Sequence, residues 1–206
     1  MTENDLNLTV SKNRARIRWI AKTGILSAVA IALMYLEMSL PLMPAFLKFD
    51  FSEIAVLLGS FAMGPLTGIL IELIKNLAHL PASGTMYVGE LANFVVGVLF
   101  VGTAGWIYQR HKTRSRAYLA MAAGTLAMTV GASLINYFLM IPFYVSAMGF
   151  PMEAIINMTH KAGNLMVSDL KSLILWVFVP FNLFKGIIVS FIVGLVYKRV
   201  SPLLHR

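Results

Sequence analysis

An apolar segment near the carboxyl end of the chain, residues 172–199, reads SLILWVFVPFNLFKGIIVSFIVGLVYKR. It is longer than the roughly 20 residues that cross the hydrocarbon core of a bilayer. Asn182 and Lys185 are three residues apart and share one helical face. Pro180 has no N–H, so it frees the carbonyl of Trp176 and predicts a kink beside that face. A lysine within a span costs about 2.5–3.5 kcal/mol, so we expect this face to mark a site inside a helical bundle.

The composition indicates that the whole chain, and not only this segment, is apolar enough for a membrane protein. Of 206 residues, 58% are hydrophobic and only 13% are charged, and the mean hydropathy is +0.77. A soluble domain of this size needs more polar surface. The sequence therefore predicts an all-α integral membrane protein. The chain has no cysteine, which excludes disulfides and cysteine-type metal or redox sites.

Six transmembrane helices are predicted, at residues 18–38, 51–63, 65–79, 86–109, 117–141 and 169–198. The Gly64-Pro65 pair separates the second helix from the third. Between the fifth and sixth helices, residues 151–160 have the amphipathic spacing of a small surface helix. The predicted parts are a tail at 1–17, disordered over 1–12, a membrane domain at 18–198, and a tail at 199–206.

The positions of the charges predict the orientation in the membrane. Twelve of the 17 Lys and Arg residues fall in three short flanks: Lys12, Arg14, Arg16, Arg18 and Lys22; Arg110, Lys112, Arg114 and Arg116; Lys198, Arg199 and Arg206. With six spans and a cytoplasmic amino terminus, all three flanks are cytoplasmic, as the positive-inside rule requires. Both termini are then cytoplasmic. The same placement favours membrane orientation over a nucleic-acid surface as the cause of the high pI.

Polar and aromatic residues from four separate segments are expected at one outer level of this bundle: Phe46, Lys48, Phe49 and Asp50; Thr85, Tyr87, Glu90 and Asn93; Asn136; Asn182 and Lys185. Such a set is typical of a small-molecule pocket with apolar walls and a few placed polar groups. Two structural alternatives stay open. Lys185 could pair with Glu90 or Glu72 purely for packing, and Asn93 could serve as a contact between helices.

Small residues recur at four-residue intervals on two helices. Gly186, Ser190 and Gly194 predict close approach of another helix within the bundle. Gly24, Ala28 and Ala32 predict a second close contact, for which an internal partner is the first expectation.

Several kinds of catalytic site find no support in the sequence. It contains no G-x-x-x-x-G-K-[ST] phosphate loop and no G-x-S-x-G motif. The four histidines are dispersed, without metal-ligand spacing. The predicted protein is not an enzyme, and it requires no cofactor.

Three stretches, FLKFDFSEIAVLLGSFAMGPLTGILIELIKN, GTMYVGELANF and PFNLFKG, resemble the riboflavin-binding substrate-capture subunits (S components) of energy-coupling factor (ECF) transporters. The resemblance covers residues 18–198. It implies a six-helix subunit in a bacterial plasma membrane that binds riboflavin near the outer surface. It also implies a transmembrane coupling subunit, two ATP-binding subunits and the phosphorylated flavin FMN as a further candidate ligand.

The resemblance carries site residues onto this sequence. The implied ligand-binding residues are Leu47, Lys48, Phe49, Gly84, Thr85, Tyr87, Asn136, Asn182 and Lys185. The A-x-x-x-A pattern of Ala28 and Ala32 resembles the docking face for the coupling subunit. An asparagine amide can both donate to and accept from the edge of a flavin ring, whereas a lysine only donates.

Other functions remain as alternatives. The same architecture could capture another vitamin, such as thiamine, whose cationic ring would favour more aromatics and a free carboxylate. A membrane enzyme would use Glu72, Glu90 or Asp50. A channel or assembly subunit would show no saturable ligand.

Overall fold

The computed structural model describes the backbone of residues 3–205 and the side-chain surroundings of residues 11–197. The chain is mostly helical, with helices α1 (Glu3–Met34), α2 (Ser52–Met63), α3 (Pro65–His79), α4 (Val88–Arg110), α5 (Arg114–Ile135), α6 (Ile141–Ser146), α7 (Met152–Lys161), α8 (Leu170–Leu173) and α9 (Val179–His205). A 3-10 turn, Leu80–Ala82, follows α3. Two π-helical turns, Asn136–Met140 and Ile174–Phe178, join α5 to α6 and α8 to α9.

The predicted second, third and fourth helices are confirmed within two residues at each end, the fifth begins three residues earlier than predicted, at Arg114, and α7 is the predicted surface helix. The prediction for the amino-terminal segment was wrong, because α1 begins at Glu3 rather than at residue 18. Acidic residues near a helix start and Lys and Arg within it favour helix, which explains this extension. Residues 1, 2 and 206 lie outside the described residues.

Two helices also extend beyond their predicted carboxyl-terminal ends. The fifth helix continues through its π turn to Ser146. Pro142 is the second residue of α6, directly after that turn, and has no N–H to donate. The last helix continues to His205, through most of the predicted tail at 199–206.

A tight turn at Gly64 joins α2 and α3 into an antiparallel hairpin. Gly64 has a φ of +106°, which suits glycine, and Pro65 begins α3. Ser60 packs closely against Gly68, and farther from the turn Ser52 bonds to Lys75. The predicted break at Gly64-Pro65 is therefore confirmed.

Among the residues that the structure describes, four helical segments are long and apolar enough to cross a membrane: Ser11–Met34, Val88–Arg110, Arg114–Ser146 and Leu170–Tyr197. The two hairpin helices are shorter, with 12 and 15 residues. At 1.5 Å per residue they reach only about 18 and 22 Å, less than the ~30 Å hydrocarbon core.

The turn at Gly64 lies at the same end of the bundle as the basic flanks. Gly64 packs against Gln109, which precedes the basic segment 110–116. Nearby, the Trp19 indole nitrogen donates to the Thr67 hydroxyl at 3.0 Å. The hydroxyl of Tyr197, just before the carboxyl-terminal flank, contacts that of Tyr108 in α4.

The first loop folds back across the opposite end of the bundle. Its two-residue strands β1 (Met38–Ser39) and β2 (Lys48–Phe49) pair antiparallel. The Leu42 amide also donates to the carbonyl of Ala162, after α7, at 3.2 Å. Buried side chains of α6, α7, α8 and the π turn before α9 pack beneath this region.

The two small-residue patterns have different outcomes. Gly186 packs against Thr125 and Gly194 against Tyr118, so the predicted close approach is confirmed as the contact of α9 with α5. The internal contact expected for Gly24, Ala28 and Ala32 was wrong, because all three are exposed. The buried face of α1 carries Thr23, Ser27, Ala30 and Met34 instead.

Candidate ligand-binding site

A cavity of about 240 Å³ lies at the end of the bundle that the first loop covers. Its walls come from that loop, the segment before α4, α4 itself, the π turn after α5, and α9 with its preceding π turn. Seven of the nine residues implied by the resemblance line it: Leu47, Lys48, Gly84, Thr85, Asn136, Asn182 and Lys185.

The other two, Phe49 and Tyr87, do not line the cavity. The side chain of Phe49, in β2, is buried, and its ring centroid lies 5.0 Å from that of Phe51 and 5.7 Å from that of Phe184. Tyr87 has a left-handed backbone with φ +69°, and its side chain is 63% exposed. Phe49 therefore supports the wall from behind.

Aromatic and thioether side chains form the apolar part of the wall. They come from the first loop, α1, α5, α6, α9 and the π turns, and are Met34, Phe46, Met128, Met140, Tyr144, Phe178 and Phe181. The Tyr144 hydroxyl donates to the Thr85 carbonyl at 3.2 Å. This bond ties α6 to the segment before α4.

Lys185 pairs with Asp50 of the first loop. The distance from its Nζ to Asp50 Oδ2 is 3.1 Å, and both side chains are almost fully buried. The alternative in which Lys185 pairs with a carboxylate holds, but the partner is Asp50 rather than Glu90 or Glu72, because the loop brings Asp50 directly over α9. Burial opposes ionisation of Asp50, but the lysine charges of Lys185 and Lys75 and bonds from Ser52 outweigh it and hold its pKa below the ordinary range.

The side chains of Asn136 and Asn182 are held by the same kind of hydrogen bond as each other. Each Nδ2 donates to the carbonyl four residues earlier, Ala132 and Phe178 respectively, at 2.8 Å. A carboxamide has two N–H donors and a carbonyl oxygen, so each retains one donor and its acceptor for a ligand. Asn136 begins the first π turn, and Asn182 lies one helical turn beyond the second.

A buried charge cluster supports this wall from within the α2–α3 hairpin. The ammonium of Lys75, fully buried, lies 2.7 Å from Glu53 Oε1, 2.7 Å from Ser52 Oγ and 3.0 Å from Glu72 Oε2. Lys75 was not among the site residues predicted from the sequence. A Glu and a Lys three residues apart in an apolar helix, here Glu72 and Lys75, were the signal available.

A second polar cluster holds the rim. Glu90 at the start of α4 accepts from Ser83 Oγ at 2.7 Å and lies 3.2 Å from His79 Nδ1. Glu37, after α1, contacts Lys48 and lies 3.9 Å from His79 Nε2. The rim therefore joins the first loop, α3 and α4 through ionisable side chains.

The arrangement suits binding better than catalysis. Each carboxylate that lines the cavity already contacts a lysine, a histidine or a hydroxyl: Glu37, Asp50, Glu53 and Glu90. The groups left for a guest are carboxamides, the remaining N–H donors of Lys48 and Lys185, and apolar walls. These fit a largely neutral molecule with a flat ring and hydrogen-bonding groups.

Comparison with known proteins gives the family. Residues 18–197 match the family model described as ECF transporter, substrate-specific component. The riboflavin transporter RibU of Staphylococcus aureus is 34% identical over 183 residues, covering 89% of this chain and 90% of that protein. The riboflavin transporter FmnP of Bacillus subtilis is 29% identical over 194 residues, covering 93% and 96%.

A solved structure agrees with these relatives. It is described as "Structure and mechanism of the S component of a bacterial ECF transporter" and superposes with a TM-score of 0.72 at 29% identity, covering 93% of this chain and 99% of that one. The chain therefore belongs to the substrate-specific components, or S components, of ECF transporters.

Proposed function

We propose that this S component captures riboflavin at the outer face of a bacterial plasma membrane and delivers it through an ECF transporter. The observation that carries the proposal is that one cavity is lined by seven of the nine residues implied for flavin binding. Two relatives described as riboflavin transporters, with matches covering nearly the whole chain, support the same ligand.

The chemistry of the cavity fits this vitamin, and its volume fits the flavin ring. Its 240 Å³ is somewhat below the roughly 300–1,000 Å³ of typical small-molecule sites, so it matches an enclosed flat ring better than a whole vitamin. The isoalloxazine ring would contact the aromatic wall, and its polar edge would bond with Asn136, Asn182 and Lys185. The ribityl chain would extend toward Lys48, Gly84 and Thr85 at the rim.

The proposed orientation places the cavity outside and both termini inside. The three basic flanks and the Gly64 turn share one end of the bundle, opposite the cavity, in agreement with the positive-inside rule. We propose six crossings, with α2 and α3 as two short ones within a membrane domain at 18–198. Helices shorter than the hydrocarbon core, such as these two, are accommodated by local thinning of the bilayer.

The proposed partners are a transmembrane coupling subunit and two ATP-binding subunits. The chain has no phosphate loop of its own, so energy must come from other subunits. Gly24, Ala28 and Ala32 are exposed along α1, and a side chain added at Gly24 would meet nothing within 4 Å. We propose that the coupling subunit packs on this face.

Among the alternatives, an enzyme is excluded by the family, whose members are substrate-binding components of transporters. Thiamine is disfavoured because its cationic ring needs a free carboxylate, and the carboxylates of this cavity already have partners.

Titration of the purified protein with riboflavin, FMN and thiamine tests the proposal. We expect saturable quenching of flavin fluorescence by riboflavin at low concentration and no displacement of riboflavin by excess thiamine. Weaker displacement by FMN is expected, because Glu37 and Glu90 at the rim oppose an added phosphate. Failure of riboflavin to saturate the protein, or displacement by thiamine, would contradict the proposal.

A further inference from the structure

A chain of hydrogen bonds runs from the buried charge cluster to the cavity wall and ends at Asn93 of α4. Asn76 Nδ2 donates to both the backbone carbonyl and Oε1 of Glu72, at 2.8 and 2.9 Å. Asn93 Nδ2 donates to Asn76 Oδ1 at 3.1 Å. Asn93 Oδ1 lies 3.5 Å from Lys185 Nζ.

This chain fixes the orientation of two carboxamides. The backbone carbonyl of Glu72 can only accept, so Asn76 must turn its NH₂ toward Glu72 and keep its oxygen for Asn93. Rotating Asn93 by half a turn would set its oxygen against the oxygen of Asn76 and leave both without a donor. Asn93 therefore has to present its carbonyl oxygen on the side of Lys185.

Asn93 also lines the cavity, on the same helix as Val88, Gly89, Val96 and Gly97. The anchored carboxamides of Asn136 and Asn182 each keep both a donor and an acceptor. The carboxamide of Asn93 differs, because its partner on α3 fixes which atom faces Lys185. Beside it, the Lys185 ammonium can only donate. A donor and an acceptor thus stand side by side in one wall.

We propose that Asn93 is a ligand-contacting residue whose fixed carbonyl oxygen accepts the imide N–H of the flavin, with Lys185 donating to the neighbouring ring carbonyl. This inference rests on the proposed function. In the oxidised isoalloxazine ring the imide is the one N–H donor, and it lies between two carbonyls, so its edge matches an adjacent acceptor and donor. Asn76 and Glu72 act as positioning residues for Asn93.

The test crosses protein variants with two ligands, riboflavin and 3-methylriboflavin, in which a methyl group replaces the imide hydrogen. In the wild-type protein, methylation should weaken binding by about tenfold or more, because Asn93 Oδ1 loses its donor within a dry site. In Asn93→Ala, riboflavin should bind more weakly and the difference between the two ligands should largely disappear. Fluorescence-quenching titration of each purified protein gives these ratios.

Asn136→Ala is the matched control. It also removes a cavity carboxamide, but we expect it to weaken both ligands together and to preserve their ratio. Asn76→Leu provides a second route to the same answer, including the case in which Asn93→Ala does not fold. Without the oxygen of Asn76, the side chain of Asn93 can rotate, so the discrimination against the methylated ligand should fall although Asn93 is present.

The outcomes separate this inference from the proposed function. Equal binding of the two ligands by the wild-type protein, or an unchanged ratio in folded Asn93→Ala or in Asn76→Leu, would overturn the role of Asn93 while leaving riboflavin capture intact. Loss of the ratio in Asn136→Ala alone would assign the imide to that residue instead. Absence of saturable riboflavin binding by the wild type would remove the proposed function itself.

Discussion

Lys185 contributes a buried positive charge to the cavity wall, and Asp50 compensates it. A buried ion pair of this kind adds little net stability, because desolvation of the two groups offsets their attraction. Removing one partner alone is strongly destabilising, because the remaining buried charge is then uncompensated. The pair therefore serves mainly to hold an ammonium donor in place under the first loop.

A mutant cycle on this pair is the first prediction. Asp50→Asn should destabilise the protein by about 3–5 kcal/mol, and adding Lys185→Met should restore most of that loss, since no charge is then left unpaired. The double variant should still fail to bind riboflavin tightly. Thermal unfolding in detergent and flavin titration measure the two effects separately.

Two comparisons complete this cycle. Glu37→Gln, which breaks the partly exposed pair with Lys48, should change stability by at most about 1 kcal/mol. The lowered pKa of Asp50 also fixes the pH dependence: its contribution is present above the ordinary carboxyl pKa of about 4 and is lost only in stronger acid. A single Asp50→Asn variant as stable as the double variant would refute the compensation.

The second prediction concerns Asn182. Asn182→Leu should weaken riboflavin binding by at least about tenfold, because the ligand loses a hydrogen-bond partner in a site with little water. The change should leave the melting temperature close to that of the wild type, since the neighbouring wall is apolar. Titration by fluorescence quenching measures the affinity.

Asn157→Leu, at an exposed position of α7, is the control for introducing leucine in place of an asparagine. It should bind as the wild type does. Unchanged affinity in Asn182→Leu would remove this residue from the site.

At the residue scale, the sequence marks polar groups in apolar surroundings but not their partners. Asn182 and Lys185 stand out because every neighbour in the helix is apolar or small. Asp50 could not be assigned to Lys185, because 135 residues separate them and only the folded first loop brings them together. Lys75 was missed for the same reason: its importance depends on Ser52 and Glu53 across the hairpin.

At the scale of elements, α4 approaches the hairpin closely through glycine. A methyl group added at Gly97 would overlap the carboxylate of Glu72, which Lys75 and Asn76 hold in place. The glycine thus lets a charged side chain of α3 lie directly against the backbone of α4.

The third prediction follows from this contact. Gly97→Ala should destabilise the protein by about 1–3 kcal/mol, because the methyl group must displace a carboxylate that is already bonded. Gly102→Ala, on the same helix, should be neutral or stabilising, since its methyl would meet only Ile69 at 3.8 Å and alanine favours helix. Equal melting temperatures for these two variants would contradict the argument.

Element boundaries were predictable where local chemistry sets them. The Gly64-Pro65 pair ends one helix and begins another, so both bounds followed from the sequence. The π turns did not, although Pro180 pointed to one of them. The carbonyl of Trp176 that Pro180 was predicted to free accepts a bond from Asn164 at 3.2 Å, and this partner belongs to a segment for which the sequence had no pattern.

At the scale of the whole molecule, the bundle has a basic end and a cavity end. The basic flanks gather at the first, next to the Gly64 turn, and the rim cluster of Glu37, His79 and Glu90 occupies the second. This polarity was available from charge counting, whereas the open face of α1 was not, because periodicity alone does not tell an internal contact from an external one.

The fourth prediction tests the polarity. The chain has no cysteine, so Thr113→Cys and Glu153→Cys each introduce a unique thiol. An impermeant maleimide added to intact cells should label residue 153 and not residue 113, and cell lysis should expose residue 113. Labelling of residue 113 in intact cells would overturn both the orientation and the six crossings.

The fifth prediction tests the open face of α1. Ala28 is exposed between Gly24 and Ala32, so a helix of another subunit can approach the backbone there closely. Tryptophan at residue 28 would hold such a helix away but would touch no part of the cavity. Ala28→Trp should therefore bind riboflavin as the wild type does and abolish uptake by the assembled transporter, measured with radiolabelled riboflavin in cells.

Leu126→Trp is the matched control, because it places the same bulky side chain on a lipid-exposed position of α5, 60% exposed in the wild type. If the membrane merely tolerates tryptophan poorly, both variants should lose uptake together. If the α1 face receives the coupling subunit, only Ala28→Trp should lose it, and copurification of that subunit should fail in the same variant. Normal uptake with Ala28→Trp would place the docking surface elsewhere, since an exposed small-residue face that admits a tryptophan cannot be one on which helices pack closely.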